Sequence, residues 1–404
     1  MADIFKPANP AEVLDVVAGA VAEEAPLEIV GGGSKRALGR PVEADHGLDL
    51  SGLAGVDLYE PAELVMTAQP GTALAEIEAT LAEQNQQLAF EPPDLGPLLG
   101  GPAGAGTIGG VFACNLAGPR RVKSGAARDH FLGLEAVTGR GEAIAAGGRV
   151  VKNVTGYDLC KLIAGAYGTL VAMTQITFKV MPAPEKTRTV LVFGLDDGSA
   201  NAAMTEAQSS PEEVSAAAYL PEKIAARISV DYVSGAGASV TALRIEGPAP
   251  SVEQRCKSLR ERLGPYGPLE ELHGHNSNIL WRSVGDAAPF ANRPGRSIWR
   301  LSTTPTAGAD VTARIAGETQ ADYFHDWGGG LIWLSLDEPH ETLVRAALAE
   351  AGGHATLIVA DEDQRRKLDV FEPQIPGVKA LTARVKDSFD PKRILNPGRM
   401  YAGV

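Results

Sequence analysis

The sequence predicts an α+β protein built from two domains, and three observations support this prediction. The chain has 404 residues, enough for about two to three domains of ordinary size. Helical and strand patterns alternate along it. Apolar residues make up 44%, which suffices for large packed cores, while 46 glycines and 27 prolines exceed ordinary usage. That glycine surplus indicates backbone bent tightly around something.

The first part of the chain, residues 1–185, alternates helices, strands and glycine-rich loops. Pro10, at a position where helices tolerate proline, opens a helix with Leu14, Val17 and Val21 on one face. Further along, strands are predicted at 27–30, 56–59, 64–68, 131–138 and 170–180, and a second helix after 70–72. The run from Met181 to Pro184, with its two prolines, is the predicted linker.

The second part, residues 186–404, has an ordinary α+β pattern without a visible internal repeat. Strands are predicted at 189–193 and 331–336, and a helix at 341–351. Leu381, Val385 and Phe389 mark one face of a final helix that ends at Asp390-Pro391. We therefore expect one domain over 1–185 and a second over 186–404.

Charge and cysteine content exclude several classes of function. The formal net charge of −13 argues against nucleic-acid binding, which depends on Lys and Arg, and no polybasic segment suits an anionic membrane. The N-terminus lacks a signal-peptide pattern, and no apolar run is long enough to span a bilayer. Three cysteines without a CxxC pair argue against disulfides and a cysteine-built metal site. We expect a soluble cytoplasmic protein.

Glycine clusters recur through the first part of the chain. Gly104-x-Gly106-x-x-Gly109 matches the dinucleotide fingerprint, but it follows Gly100-Gly101-Pro102 rather than a strand, and Gly118-Pro119 interrupts the segment after it. We therefore reject a Rossmann site. Alone, each cluster reads as a tight turn. Together they indicate a long ligand with a pyrophosphate, which needs unhindered backbone N–H donors; the clusters lie at 31–35, 70–72, 106–110, 156–158 and 168–170.

Several motifs resemble one family. The run from Val30 to Lys35, followed by Leu38-Gly39-Arg40, resembles the first phosphate-binding loop of the vanillyl-alcohol-oxidase-type (PCMH-type) FAD-binding domain. Gln69 to Thr72 is similar to its second loop. The central flavin-binding stretch of that domain is similar to three parts of this chain, namely residues 106–110, Asn115 and residues 128–133. The resemblance implies an FAD domain of two α+β subdomains, followed here by a reduced α+β cap domain.

Three further segments narrow the resemblance to the FAD-binding (E-type) subunit of glycolate oxidase. They are Ala117 to Arg121, Val151 to Leu159, and Phe389-Asp390-Pro391 with Asn396 to Tyr401. The resemblance is dense over residues 4–183 and 381–401 and thin between them. It implies that the last helix and the turn after it return to the flavin domain.

The family's cofactor contacts carry over position by position. Phosphate contacts are implied for Gly31, Gly32, Gly33, Ser34 and Lys35, and contacts on the adenosine and phosphate side for Pro70, Gly71 and Thr72. The pyrophosphate and flavin would be followed by Gly106, Thr107, Gly109 and Gly110, with Asn115 and Gly125 nearby. Gly156 would lie at the adenine end, and Asn396 would lie toward the isoalloxazine. Because the first loop has no histidine, we expect non-covalent FAD.

The catalytic subunits of this family carry an H-x-G-D-G-N-x-H type motif that is missing here. His273-Gly274-His275-Asn276 lacks the carboxylate and the second spacing, so we expect no metal site. Oxidation of a 2-hydroxy acid needs an arginine, a base and the flavin, and no convincing base is visible, so the catalytic residues stay unknown.

The resemblance implies a subunit of a complex that oxidises glycolate to glyoxylate. Its expected partners are a homologous catalytic flavin subunit and an iron–sulfur subunit, which passes electrons to an acceptor other than oxygen. Membrane association, peripheral to the inner membrane, would come only through partners.

Two alternatives stay open. One is a self-sufficient FAD oxidoreductase acting on another hydroxy acid or a sugar alcohol. The other is an assembly subunit without catalysis of its own.

Overall fold

The computed structural model describes residues 3–150 and 156–404. The chain forms two compact units. Unit 1 comprises Met1–Leu116, Gly125–Ala183 and Glu362–Val404, and unit 2 comprises Ala117–Ser124 and Pro184–Asp361. The central segment of unit 1 therefore ends inside the predicted linker. The C-terminal segment, which the sequence places in a domain over 186–404, clusters with unit 1, and Ala117–Ser124 clusters with unit 2.

Strands and helices are numbered in chain order over the described residues. The strands are β1 (Ile4–Phe5), β2 (Leu27–Val30), β3 (His46–Asp49), β4 (Val56–Glu60), β5 (Val65–Ala68), β6 (Gln86–Gln87), β7 (Phe131–Thr138), β8 (Ala143–Gly147), β9 (Val171–Lys179), β10 (Met181–Pro182), β11 (Lys186–Phe193), β12 (Ala216–Leu220), β13 (Val240–Gly247), β14 (Leu269–His273), β15 (Ser297–Ser302), β16 (Asp322–Asp326), β17 (Leu331–Leu336) and β18 (His354–Val359). The helices are α1 (Pro10–Glu23), α2 (Leu74–Ala82), α3 (Ile108–Cys114), α4 (Arg121–Ser124), α5 (Ala127–His130), α6 (Leu159–Ile163), α7 (Asp197–Gln208), α8 (Glu222–Ala225), α9 (Asp231–Ser234), α10 (Ala249–Leu263), α11 (Gly274–Gly285), α12 (Gly308–Glu318), α13 (Glu341–Ala349), α14 (Glu362–Lys367) and α15 (Pro376–Phe389).

Unit 1 contains two main sheets with separate cores. A parallel sheet has the order β1-β3-β2, and an antiparallel sheet has the order β4-β5-β9-β7-β8. Helix α1 begins at Asn9, whose side chain accepts a hydrogen bond from the Glu12 amide, and it buries Val13 and Val17 beside Leu27 and the C-terminal Ile394. The larger core lies on the antiparallel sheet.

Several helices of unit 1 are absent from the sequence prediction, and α3 is the one that lines the predicted cofactor loops. Residues 95–118 are glycine-dense and aperiodic, yet α3 lies among them. The side chain of Thr107 accepts a hydrogen bond from the Gly110 amide and starts the helix, while Val111 and Phe112 are fully buried. Tertiary burial of these two side chains outweighs the low helix propensity of the glycine pair.

Unit 2 is one antiparallel sheet of eight strands with an internal structural repeat. Its order is β14-β11-β13-β12-β16-β17-β15-β18. Apart from the short helices α8 and α9 between β12 and β13, each half has the succession strand, helix, two strands, helix, strand. The two halves meet where Tyr219 of β12 pairs with His325 of β16. The repeat is invisible in the sequence because packing constrains the apolar pattern of each element rather than the identity of its residues.

A buried ion pair fixes the C-terminal segment of unit 1. Lys386 and Asp390 are fully buried, with the Lys386 Nζ 2.7 Å from Asp390 Oδ2. The Lys386 ammonium also donates to the carbonyls of Thr169 (2.6 Å) and Leu395 (3.0 Å). The Asp390 carboxylate accepts the amides of Ile394 and Leu395, both at 2.8 Å. Burial lowers the pKa of Lys386, and the carboxylate opposes that shift.

This ion pair carries a stability prediction. We expect Asp390→Asn to lower the free energy of unfolding by about 3–5 kcal/mol, because it leaves Lys386 buried without a charged partner. Urea unfolding of the FAD-loaded protein measures the effect. Asp387→Asn on the same helix is the control, and it should change little because the Asp387 pair with Arg393 is 56% exposed at the carboxylate. Equal effects of the two substitutions would contradict a stabilising role of the buried pair.

Candidate FAD-binding site

A cavity opens in unit 1 among the predicted cofactor loops. The lining residues come from four stretches of chain that the fold brings together. They are 29–36 after β2, 107–114 around α3, 167–173 before and within β9, and Asn396 with Arg399, joined by Leu50 and Pro70.

The loop after β2 supplies uncommitted backbone donors to this cavity. Strand β2 ends at Val30, and within the described residues the amides of Gly32, Gly33, Ser34 and Lys35 donate no hydrogen bond. Gly33 has a φ of 73°, in the region that favours glycine. A side chain at Gly32 would collide with the carbonyl oxygen of Ala105. The glycines thus allow both the turn and its close approach to residues 105–107, and successive free amides suit phosphate oxygens.

The second predicted loop meets the start of α3. The Gly109 amide donates to the Pro70 carbonyl at 2.9 Å, and a Cβ on Gly109 would lie 2.7 Å from that oxygen. Glycine is required here because backbone approaches backbone. Pro70, Thr107, Gly109 and Gly110 all line the cavity as a result.

Two buried cations face the cavity. Lys35 is 9% exposed, and its ammonium contacts the Ser34 hydroxyl at 3.4 Å. Arg399 is 6% exposed; it donates to the Lys35 carbonyl at 2.9 Å, and its Nε has no hydrogen-bond partner within the described residues. Burial lowers the pKa of both side chains. An anionic ligand would restore the solvation that these two groups lose.

One carboxylate, that of Glu28, is shared by Arg36 and Arg399 beside the cavity. Glu28 accepts both Nε (2.8 Å) and Nη2 of Arg36 and lies 3.8 Å from Arg399 Nη1. Lys35 forms no ion pair within the described residues. The excess of positive charge is local, since the chain as a whole is strongly acidic. A pyrophosphate would balance it.

Asn396 lines the cavity, but its side chain is committed to the protein. Its Oδ1 accepts the Ile29 amide and its Nδ2 donates to the Tyr167 carbonyl, each at 2.8 Å. A Cβ on the adjacent Gly168 would lie 2.6 Å from that Nδ2. Asn396 therefore ties the end of β2 to the 167–168 turn and shapes the cavity.

Several lining residues were not predicted. Arg399 belongs to the C-terminal motif, where a single arginine gives no indication of burial. Cys114 is half-buried and lines the cavity; burial raises the pKa of its thiol, while Lys35 opposes the rise. Tyr167 reaches the cavity with a φ of 55°. Only the Gly168 cluster beside it was visible in the sequence.

The remaining predicted positions lie outside the cavity lining. Gly71 packs against the Leu50 and Leu53 carbonyls, and the buried Thr72 hydroxyl donates to the Gln69 carbonyl at 2.7 Å. Asn115 accepts the Arg128 amide at 2.9 Å, and Gly125 turns the chain beside Asp129. Gly106 packs on Leu74, and Gly156 is exposed with a φ of 79°. In the glycolate-oxidase-like motif, residues 151–155 lie outside the described part of the chain.

Acid–base groups are sparse at this site. Among the described residues lining the cavity there is no Asp, Glu or His. Across residues 3–150 and 156–404, no group of three or more His, Cys, Asp or Glu side chains could hold a metal ion. The side chain of His273, from the histidine pair considered above, is 67% exposed and lies 3.3 Å from Glu271. Within the same residues, no helix has the length and apolarity to cross a membrane.

Comparison with known proteins identifies the family. A family model described as an FAD binding domain matches residues 2–147. Glycolate oxidase subunit GlcE from Escherichia coli (strain K12) is 35% identical over 391 residues, which span 96% of this chain and 97% of that protein. The chain belongs to the FAD-binding oxidoreductase family of GlcE. It is an FAD-dependent oxidoreductase, as the motifs predicted, and FAD is its cofactor.

Two further comparisons add a second relative and a fold neighbour. Glycolate oxidase subunit GlcD from Bacillus subtilis (strain 168) is 25% identical, over 84% of this chain and 76% of that protein. The crystal structure of p-cresol methylhydroxylase with substrate bound matches with a TM-score of 0.68 at 15% identity, over 99% of this chain and 88% of that one. The predicted PCMH-type fold is thereby confirmed.

The residues present fit FAD. Free loop amides, two buried cations and an unpartnered guanidinium nitrogen match a ligand with a pyrophosphate, and apolar Ile29, Val171 and Met173 offer surface for a ring. Bound FAD supplies a ring that accepts and releases electrons. The chain's own groups bind and orient it.

The first loop carries a binding prediction. We expect Gly32→Ala to weaken FAD affinity by about tenfold or more, because the new methyl group displaces either the loop or the Ala105 carbonyl. Flavin titration of the FAD-stripped protein measures this affinity. Gly19→Ala, in α1 with no atom within 4 Å of the new Cβ, is the control and should bind normally. Normal affinity in Gly32→Ala would place the phosphates elsewhere.

Proposed function

We propose that this chain is the FAD-binding subunit of a complex that oxidises glycolate to glyoxylate. The observation that carries the proposal is the near full-length similarity to glycolate oxidase subunit GlcE. The cavity supports it, since free amides and buried cations converge there from distant parts of the sequence. In this proposal residues 31–35, Pro70, Thr107, Gly109 and Gly110 contact FAD directly, and Asn396 positions the loops.

In this complex, the flavin of this chain relays electrons, and glycolate loses its hydride on another subunit. Removal of a hydride from a hydroxy acid requires a base for the hydroxyl proton. Within the described lining of the cavity, Lys35, Cys114 and Tyr167 are the titratable groups besides the arginines. Burial raises the pKa of Cys114 and so keeps its thiol protonated. In this proposal Lys35 is the cation that binds the FAD phosphates, so neither group is assigned as the base. A GlcD-type flavin subunit is the proposed site of glycolate oxidation.

An iron–sulfur subunit is the proposed next electron carrier. An iron–sulfur cluster takes four cysteine ligands in its common forms. This chain has three cysteines, of which Cys160 and Cys256 are buried and Cys114 lines the flavin cavity. The cluster therefore belongs to a separate chain, and the final acceptor is one other than oxygen.

The catalytic assignment predicts a clear spectroscopic result. We expect the purified chain to be yellow and to stay oxidised when glycolate is added without oxygen. Co-purified with its GlcD-type and iron–sulfur partners, its flavin should bleach under the same conditions. Absorbance near the flavin band measures both states, and dithionite, which should bleach both samples, is the control.

The other outcomes would replace this proposal. Bleaching by glycolate in the isolated chain would show a self-sufficient oxidoreductase. A colourless chain that binds no added FAD would indicate an assembly subunit. A complex in which only the partner's flavin bleaches would also assign an assembly role to this chain.

The same site leads us to propose that FAD is held without a covalent bond. The described lining contains no histidine, and Cys114 is its one thiol. Burial keeps that thiol protonated by raising its pKa, and a protonated thiol is a poor nucleophile.

Acid precipitation tests this binding mode. We expect the flavin to appear in the supernatant and the protein pellet to be colourless. A yellow pellet whose Cys114 peptide carries the mass of FAD would contradict the proposal. Cys114→Ser is the matched variant, and it should release flavin as the wild type does.

A further inference from the structure

The loop over residues 31–40 has few backbone hydrogen bonds of its own. It follows β2, and its first half carries the free amides beside the cavity. Within the described residues, its backbone closes two internal hydrogen bonds. The Arg36 amide donates to the Gly33 carbonyl at 3.1 Å, and the Leu38 amide donates to the Lys35 carbonyl at 3.0 Å. A loop with so little regular bonding needs partners elsewhere in the chain to keep one conformation.

Arg365, in the short helix α14, supplies such a partner to the second half of the loop. Its Nη1 donates to the Ala37 carbonyl at 2.9 Å and to the Gly39 carbonyl at 2.8 Å, which lie 328 and 326 residues away in the chain. Arg365 is 9% exposed and is not among the residues that line the cavity. Its guanidinium is therefore directed at the loop and not at a ligand.

The contact between the loop and α14 is reciprocal. Arg40, the last residue of the loop, donates from Nη1 to the Leu368 carbonyl at 2.9 Å and from Nη2 to the Arg366 carbonyl at 2.8 Å. Two arginines on opposite sides thus bond each other's backbone. Hydrogen bonds from a charged donor are stronger than those from a neutral one, so this contact fixes the loop better than backbone bonds of the same number would.

The chain beyond α14 is itself held in place. Val370 is fully buried, and Phe371 is 8% exposed. The ring of Phe371 lies 5.0 Å from that of Tyr167, which lines the cavity, and 6.0 Å from that of Tyr401. A group can orient a binding loop only when its own position is fixed by packing, and Arg365 meets that condition.

We propose that Arg365 and Arg40 are positioning residues, which hold the free amides of residues 32–35 in the orientation that binds the FAD phosphates. This role rests on the proposed function, in which residues 31–35 contact FAD directly. When a loop leaves its binding conformation, the apparent affinity falls in proportion to the fraction that keeps it. Recognition of the pyrophosphate therefore depends on a helix that lies outside the cavity lining and more than 300 residues away in the chain.

Titration of the FAD-stripped protein with three ligands tests this role. ADP carries the pyrophosphate without the flavin, and riboflavin carries the flavin ring without a phosphate. We expect Arg365→Met to weaken the binding of FAD and of ADP about tenfold or more and to leave the binding of riboflavin unchanged. Arg40→Met should have the same selective effect. The double variant should lose little more affinity than either single variant, because both substitutions open one contact.

Arg366→Met is the matched control on the same helix. The Arg366 side chain is 41% exposed and pairs with Glu43 and Glu362, and the substitution keeps the backbone carbonyl that Arg40 contacts. All three ligands should bind this variant as they bind the wild type. Each titration is repeated at high salt, because a lost positioning contact weakens binding at every ionic strength, whereas a lost long-range attraction matters mainly at low salt.

The outcomes separate this role from the proposed function. If Gly32→Ala loses FAD affinity and Arg365→Met does not, the positioning role is overturned and the phosphate loop stands. If neither variant loses affinity, both fail. Equal loss of all three ligands in Arg365→Met would mean general damage to the cavity, and a loss that vanishes at high salt would mean action as a distant charge. Either result would overturn the positioning role.

Discussion

The buried pair of Lys386 and Asp390 is the interaction on which the cofactor cavity depends. Neither group can be buried without partners, so each is surrounded by backbone carbonyls and amides, which come from the C-terminal turn and from Thr169. That requirement fixes residues 390–395 against β2, where Leu395 pairs with Leu27. Asn396 and Arg399 follow directly and reach the cavity. The C-terminal segment thereby joins the stretches around 29–36, 107–114 and 167–173 in one site.

Charge is distributed unevenly, and the cofactor cavity is an exception to the acidic whole. An acidic chain would repel an anionic cofactor, yet buried Lys35 and Arg399 make the cavity locally positive. Lys35 forms no ion pair within the described residues, and Arg399 shares the Glu28 carboxylate with Arg36. The cavity is thereby arranged for a phosphate.

Local patterns predicted the elements whose ends are marked by strong signals. Strands β2, β7 and β17 occur at the predicted bounds, since short apolar or alternating segments end at glycine or polar turns. The final helix was predicted from Leu381, Val385 and Phe389, but that stripe does not show which half is covered. Helix α3 and the repeat in unit 2 escaped prediction, because both arise from burial against distant chain. Six predicted contact positions, including Asn115 and Gly125, are not among the residues that line the cavity, and their contact with FAD stays a prediction.

By itself the sequence determined the family, the cofactor and the loops that approach it, because glycine positions and phosphate-binding motifs are local in the chain. It did not determine what each loop residue does. Asn396 lines the cavity, as the approach to the flavin predicted for it requires, and its side-chain amide also joins the backbone at Ile29 to the backbone at Tyr167. No pattern in the sequence predicted that Arg399 and Cys114 line the cavity. Tertiary structure decided these roles because a polar side chain takes the partner that folding places within hydrogen-bond distance, and such a partner can lie more than 300 residues away.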